Sequence, residues 1–205
     1  MIAIVDYGVG NLFSLKSSLS RIGAEPVVTG DAGVLREADR IILPGVGAFA
    51  DAAAKLRASG LDRVVIDEAK AGKPLLGICL GMQLLFDRSM EYGEHAGLGL
   101  IPGEIVPLKD AIPAELKVPH IGWNALQVLR AHPLLQYVND GDCVYFVHSY
   151  YAACGADTIA AAEYGTAVTA AVARGSVMGC QFHPEKSGAV GLGILRAFCE
   201  TEGTA

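Results

Sequence analysis

The sequence predicts an α/β fold with a mostly parallel central sheet and antiparallel additions in its C-terminal half. Three observations predict it. Short apolar runs alternate with helical stretches through the first half. Glycine-bearing turns follow three of those runs. The second half changes to closely spaced short apolar runs with few helical stretches between them.

The elements follow in order. Residues 2–5 form a short apolar strand, and residues 12–22 read as an amphipathic helix. Residues 26–28 are a second strand and residues 40–43 a third. Helical pattern returns over 48–71. An apolar run over Pro74, Leu75 and Leu76 then gives a strand ending at Gly77, with Met82 to Phe86 as the start of a helix. Strands separated by helices imply βαβ units, whose sites lie at the carboxyl ends of the strands. Three turns stand there: Asp6 to Asn11, Pro44 to Ala48, and Gly77 to Gly81. Residues 88–98 read as a polar loop beyond the last of these. Residues 103–108, 117–123, 143–147, 158–163, 168–173 and 176–182 read as short strands, naturally added antiparallel to the sheet. Residues 189–200 form a final helix. Repeats, low-complexity stretches and linkers are absent, so 1–205 reads as one domain.

Composition narrows the function classes. Of 205 residues, 52% are hydrophobic and 19% charged, ample for a core and unlike a disordered chain. A net charge of −6 with no basic run disfavours nucleic acid and anionic membranes as partners. The first residues lack the basic region of a signal peptide. Apolar runs fall short of the ~20 residues of a membrane span. The five cysteines are scattered and odd in number, without a C-x-x-C pair. That disfavours a disulfide framework or zinc site and suits a reducing cytoplasm. Cys143, Cys180 and Cys199 sit among apolar neighbours and are expected in the core.

Cys79 differs. It lies in Gly77-Ile78-Cys79-Leu80-Gly81, at the junction of a buried strand and a helix. This is the thiol version of a nucleophile elbow, with the helix N-terminus behind it expected to favour a thiolate. A nucleophilic Cys needs a base, and the base needs an orienting group. His95, His120 and His132 lie in polar contexts read as loops, and His148 ends a strand but lacks a neighbouring carboxylate. His183 stands in Gln181-Phe182-His183-Pro184-Glu185. Pro184 favours an extended His183, and in extended chain residues i and i+2 share a side, so Glu185 can orient the ring. Alone, this could be an incidental surface turn; with the Cys79 elbow upstream, a Cys79–His183–Glu185 triad is expected. The Pro44-Gly45-Val46-Gly47-Ala48 turn and the Leu80 N–H are candidate oxyanion donors. Gly8-Val9-Gly10 suggests a dinucleotide turn, but Phe13 replaces the third glycine of the fingerprint.

Gly77 to Gln83 together with Phe182 to Glu185 resembles the class I (triad) glutamine amidotransferases, and the resemblance covers essentially the whole chain. It implies a three-layer, flavodoxin-like arrangement. Four further segments resemble the glutaminase subunits of imidazole glycerol phosphate synthases: Asp6 to Leu12, Pro44 to Phe49, Pro119 to Asn124, and Val147 to Tyr151. Anthranilate-type relatives usually carry Gly-Pro-Gly where this chain has Pro-Gly-Val-Gly. The resemblance implies glutamine hydrolysis in histidine biosynthesis, without cofactor or metal. It implies catalysis by Cys79, His183 and Glu185, and oxyanion donors at Val46, Gly47 and Leu80. It places Gly45, Gln83, Glu91, His148, Ser149 and Tyr150 around the substrate. Because the glutaminase domain uses the full length, the ammonia acceptor is expected on another chain. The resemblance makes that a (β/α)8-barrel cyclase subunit in a heterodimer, met near Asn11, Trp123, Asn124 and Lys186. An amidotransferase subunit of another ammonia-using synthase, a free-standing cysteine amidase or peptidase, and a non-catalytic binding module are the alternatives. Peptidase-like relatives often place His directly after the Cys, where this chain has Leu80.

Overall fold

The computed structural model describes residues 1–202, so the last three residues of the expected domain lie outside the described residues. In chain order the first half contains β1 (Ile2–Val5), α1 (Leu12–Arg21), β2 (Pro26–Thr29), α2 (Ala32–Glu37), β3 (Arg40–Gly45), α3 (Phe49–Ala58), α4 (Leu61–Lys70), β4 (Leu75–Cys79) and α5 (Leu80–Leu84). The second half contains β5 (Phe86–Ser89), β6 (His95–Ala96), β7 (Ile101–Pro107), β8 (His120–Ala125), β9 (Gln127–Val128), β10 (Cys143–His148), β11 (Tyr150–Ala152), β12 (Thr158–Glu163), β13 (Ala167–Arg174), β14 (Val177–Cys180) and α6 (Gly188–Glu200).

The central sheet has the order β2-β1-β3-β4-β14-β13-β12-β9. Its ladders are parallel from β2 through β14 and antiparallel from β14 to β9. Burial explains the run of apolar residues in β1, β3 and β4, since both faces are covered. Ala3, Val5, Ile41 and Leu43 pack on one face with Leu35, Leu56 and Val65 of α2, α3 and α4. Ile2, Ile4 and Ile42 pack on the other with Leu15 and Leu19 of α1 and Ile194 and Phe198 of α6. The period-two alternation of the strands thus builds the two halves of a three-layer core.

The second half is less uniform than its strand pattern suggests. Only β9, β12, β13 and β14 join the central sheet. Strands β11, β7, β5 and β6 form a separate four-stranded sheet, and β8 and β10 a two-stranded one. The segment expected as a loop over 88–98 therefore holds the end of β5 and all of β6. The helical stretch over 48–71 is two helices, parted at Gly60, whose φ of 71° is left-handed. Helix α2 has no counterpart among the sequence-based elements, although Asp31 caps it by accepting from Gly33 N–H at 2.6 Å and Val34 N–H at 3.1 Å. Cys143, expected in the core, is exposed at the start of β10, whereas Cys180 is buried and Cys199 partly so. All five cysteines are free. Among the described residues no helix is long and apolar enough to cross a membrane.

Strand β3 runs to Gly45, two residues beyond its expected end, because it pairs with β4 up to Gly45 opposite Cys79. The chain after Cys79 passes close beneath this strand end. A Cβ at Gly81 would lie 1.9 Å from the Leu43 carbonyl oxygen, and one at Gly45 would lie 2.7 Å from Gly81 N. Only glycine allows that approach. Gly81→Ala ordinarily favours a helix by about 1 kcal/mol. Here it is expected to destabilise by about 1–3 kcal/mol through backbone overlap. A lower urea midpoint at unchanged denaturant slope checks this; an unchanged or raised midpoint contradicts it.

Candidate active site

Cys79 ends β4 with φ 54° and ψ −111°, a left-handed conformation rare for a residue with a Cβ. The strain turns the chain sharply from strand to helix and leaves the sulfur at the sheet's carboxyl edge, only 7% exposed. Helix α5 behind it has only five residues, less than the sequence suggests, because Phe86 already begins β5. The expected dipole support for the thiolate is thus confined to little more than one turn.

His183 reaches Cys79 through β14, which pairs parallel to β4. That strand stops at Cys180, short of its expected end, and Gln181 to His183 continue toward β10. His183 N–H donates to the Tyr145 carbonyl at 2.9 Å. Ser187 Oγ donates to the His183 carbonyl at 2.6 Å and accepts from Tyr145 N–H at 3.0 Å, locking the segment on β10. Pro184 to Lys186 form a 3-10 turn. This tight turn, rather than an extended i, i+2 arrangement, brings the Glu185 carboxylate beside the ring. His183 Nδ1–H donates to Glu185 Oε1 at 2.8 Å, with both side chains 3% exposed. Nε2 is left for the sulfur. Burial by itself would lower the His183 pKa, but interactions with Cys79 and Glu185 outweigh it and push it up to about 9.

The cleft above the sulfur has a volume of about 290 Å³ and is lined by Val46, Gly47, Cys79, Leu80, Gln83, Glu91, Pro119, Val147, His148, Ser149, Tyr150 and His183. Nearly every residue expected around the nucleophile is therefore in one place. Gly45 lies outside this lining. It borders a small cleft behind the triad with Asn11, Pro44, Val46, His183 and Glu185. Glu185 Oε2, which is buried, has no hydrogen-bond partner among the described residues. Gly47 has φ 97°, and a Cβ there would meet open space, so backbone conformation alone selects the glycine.

Several side chains are committed differently from expectation. Gln83 Nε2 donates to the Tyr150 carbonyl at 3.0 Å and to Gln181 Oε1 at 2.9 Å, so both its amide hydrogens brace the cleft wall. Glu91 Oε2 accepts from Phe49 N–H at 2.7 Å, tying the cleft rim to the start of α3 just after the Pro44–Ala48 turn. Asn124, expected at a partner interface, turns its amide inward to the Glu163 carbonyl at 2.9 Å and to His120 Nε2 at 3.3 Å. Trp123 and Lys186 do share an outer surface through Tyr145: the Trp123 ring is 6.2 Å from the Tyr145 ring, and Lys186 Nζ lies 5.8 Å from the latter's centroid.

Sequence reasoning missed three contributors. Gln181 is fully buried, with Nε2 3.7 Å from Cys79 Sγ. Its signal was a lone polar residue two before His183 in an apolar run. His120, given a polar loop context although it falls in the run 117–123 read as a strand, is a buried member of β8. Tyr7 donates its hydroxyl to the Pro44 carbonyl at 2.7 Å, and Gly10 packs against the Pro44 ring. The Gly8-Val9-Gly10 turn thus braces the end of β3. Groups of three or more metal-binding side chains are absent among the described residues.

Comparison with known proteins agrees with this geometry. Residues 3–200 match the family model described as glutamine amidotransferase class-I. The chain is 52% identical over 202 residues to imidazole glycerol phosphate synthase subunit HisH of Bacillus licheniformis, covering 97% of this chain and 95% of that protein. It is 47% identical over 201 residues to the HisH subunit of Lactococcus lactis, covering 97% and 98%. Among solved structures, a glutamine amidotransferase superposes with TM-score 0.75 at 20% identity, covering 98% of each chain. PurLQS from Thermotoga maritima does so with TM-score 0.75 at 21% identity, covering 97% and 96%. These structures share the fold. With the family model spanning nearly the whole chain and the HisH relatives matched end to end, this chain belongs to the class-I glutamine amidotransferases and, within them, to the HisH subunits of imidazole glycerol phosphate synthase.

Proposed function

We propose that this chain, acting as one domain over residues 1–205, hydrolyses glutamine to glutamate and ammonia through Cys79, His183 and Glu185. The observation that carries the assignment is the strained Cys79 turn and His183 lining one cleft, with the His183 ring held from behind by buried Glu185.

Glutamine enters with its side-chain carboxamide over the sulfur. Cys79 Sγ, its proton passed to His183 Nε2, attacks the carboxamide carbon. Glu185 holds Nδ1–H and stabilises the imidazolium. The tetrahedral oxyanion is met by backbone N–H groups of Leu80 and of the Val46–Gly47 turn, each typically worth about 2.7–4 kcal/mol of barrier. His183 then protonates the departing nitrogen, ammonia leaves, and a γ-glutamyl thioester remains. Water attacks the thioester, His183 takes its proton, and glutamate departs as the thiol reforms. Gly45 supports the turn from below. Gln83, Glu91, His148, Ser149 and Tyr150 form the walls against the amino-acid end of glutamine. Glu91 Oε1 and Gln83 Oε1 are the oxygens left free for its ammonium, since their other polar atoms are engaged.

Ammonia released into neutral water is protonated and loses its nucleophilicity, so an acceptor must be close and shielded. The acceptor is a second, (β/α)8-barrel cyclase subunit, which forms a heterodimer with this chain in the cytoplasm. It uses the ammonia to make imidazole glycerol phosphate and an aminoimidazole carboxamide ribonucleotide in histidine biosynthesis. The HisH relatives are themselves named as subunits of that synthase. Exposed Trp123, Ile121 and Phe13 supply apolar anchors for such a contact, with Asn11 and Lys186 as its polar members.

Cys79→Ala is expected to abolish glutamine-dependent turnover of the complex while leaving the ammonia-dependent reaction of the partner intact. A complex that still used glutamine at the normal rate would remove Cys79 from the mechanism. Glu185→Gln is expected to lower kcat by about 10²–10⁴-fold through loss of ring orientation and imidazolium stabilisation. Retention of kcat within a few-fold would leave Glu185 without that role.

The His183 value predicts a pH dependence. Because the folded pKa of about 9 exceeds the ordinary 6.5, the charged ring contributes its full stabilisation below pH 6.5. That contribution, and the acid that protonates ammonia, are lost as pH rises through about 9. An NMR titration of His183 should have its midpoint near 9 and move down in Glu185→Gln. A midpoint at or below 6.5 in the unmodified protein would contradict the ion-paired arrangement.

A further inference from the structure

Two buried histidines lie outside the triad. His120 of β8 and His148 of β10 are direct partners across the two-stranded sheet and are 2% and 6% exposed. His120 Nδ1 and His148 Nε2 are 3.0 Å apart, and His148 Nδ1 lies 3.0 Å from the Tyr150 carbonyl oxygen.

Chemistry decides the direction of every contact. A carbonyl only accepts, so His148 carries its proton on Nδ1 and accepts at Nε2. His120 therefore donates from Nδ1 and accepts at Nε2, where the Asn124 amide nitrogen stands 3.3 Å away. The Asn124 orientation is set independently. Its Oδ1 accepts from Ala125 N–H at 2.8 Å, and its Nδ2 donates to the Glu163 carbonyl at 2.9 Å. Both rings are neutral near pH 7: burial lowers His120 to about 4, and burial with the neighbouring His120 lowers His148 to about 3.

The chain continues inward. The Tyr150 carbonyl also accepts from Gln83, Gln83 donates to Gln181, and Gln181 Nε2 faces Cys79 Sγ at 3.7 Å. We propose that His120 and His148 are positioning residues for glutamine hydrolysis: their one-directional chain from Asn124 holds the Tyr150 carbonyl, and through it the Gln83 and Gln181 amides, against the substrate cleft and the nucleophile. This rests on the glutaminase assignment above. His120 is stacked between Phe146, 4.7 Å away, and Tyr164, 4.0 Å away, so its ring can be replaced without emptying its site.

The test has two parts. Nitrogen-15 NMR of histidine-labelled protein near pH 7 should find both rings as the Nδ1–H tautomer, the minor form of free histidine. Either ring found as Nε2–H, or doubly protonated, overturns the proposal without recourse to activity. Second, His120→Phe keeps the stack but removes the donor to His148, freeing that ring to switch tautomer and release the Tyr150 carbonyl. KM for glutamine should rise about fivefold, the scale of one lost hydrogen bond, with kcat within about twofold. His120→Gln, which retains an N–H donor, should restore KM to within about twofold of the unmodified protein. A normal KM in His120→Phe, or equal impairment in His120→Gln, overturns the positioning role. Failure of the unmodified complex to release ammonia from glutamine would instead overturn the glutaminase assignment, and the tautomer measurement would be untouched by it.

Discussion

The backbone of the Cys79 turn presses against the end of β3, and the rest of the site is built around that contact. The Leu43 carbonyl lies where a side chain of Gly81 would be, and a Cβ at Gly45 would fall 2.7 Å from the Gly81 nitrogen. Two backbones can come this near only where both lack side chains. The contact fixes the turn after β3, which carries the proposed oxyanion donors, relative to the sulfur. Tyr7 and Gly10 then hold Pro44 from the outer side. Parallel pairing of β14 with β4 delivers the His183 segment to the same edge. Left-handed strain at Cys79 persists because neighbours on both sides over-determine it.

Electrostatics sorts the buried histidines into different roles. His183 meets a carboxylate and a sulfur, which outweigh its burial and hold the ring charged. His120 and His148 meet only amides, carbonyls and one another, so burial keeps them neutral. A charged ring can protonate a leaving group. Neutral rings with fixed tautomers can only transmit orientation. In the proposed mechanism the same side chain supplies acid chemistry on one side of the cleft and rigidity on the other, according to what faces it.

Apolar packing and polar satisfaction divide the remaining work. Two side-chain clusters, one on each face of the central sheet, support its parallel strands. At the carboxyl edge, buried polar groups replace apolar ones, and nearly all are paired. Gln83 and Gln181 show why pairing matters: each is buried at the nucleophile, where an amide without partners would be costly. Among the described residues Glu185 Oε2, without a hydrogen-bond partner, is the exception, and it lies in a carboxylate whose other oxygen holds His183.

The amino-acid sequence by itself determined strands β1 to β4 of the parallel array, the Cys79 turn and the His183–Glu185 pair, but not that β14, expected antiparallel, joins β4 in parallel. Each is written locally, as an apolar run, a glycine, or a proline beside a histidine, and local sterics act over a few residues. It did not determine how the later strands divide among three sheets. Their apolar patterns are alike, and pairing is chosen by long-range packing. For the same reason the burial of His120 was not legible, and Asn124 resembled an interface residue. Their partners, His148 and Glu163, lie 28 and 39 positions away and become neighbours only once β8 and β10 pair and β12 packs beside them. Gln83 is the sharpest case: its sequence position after Cys79 marked it as part of the site, but only tertiary structure committed both its amide hydrogens to the cleft wall, because their acceptors come from β11 and from the segment after β14.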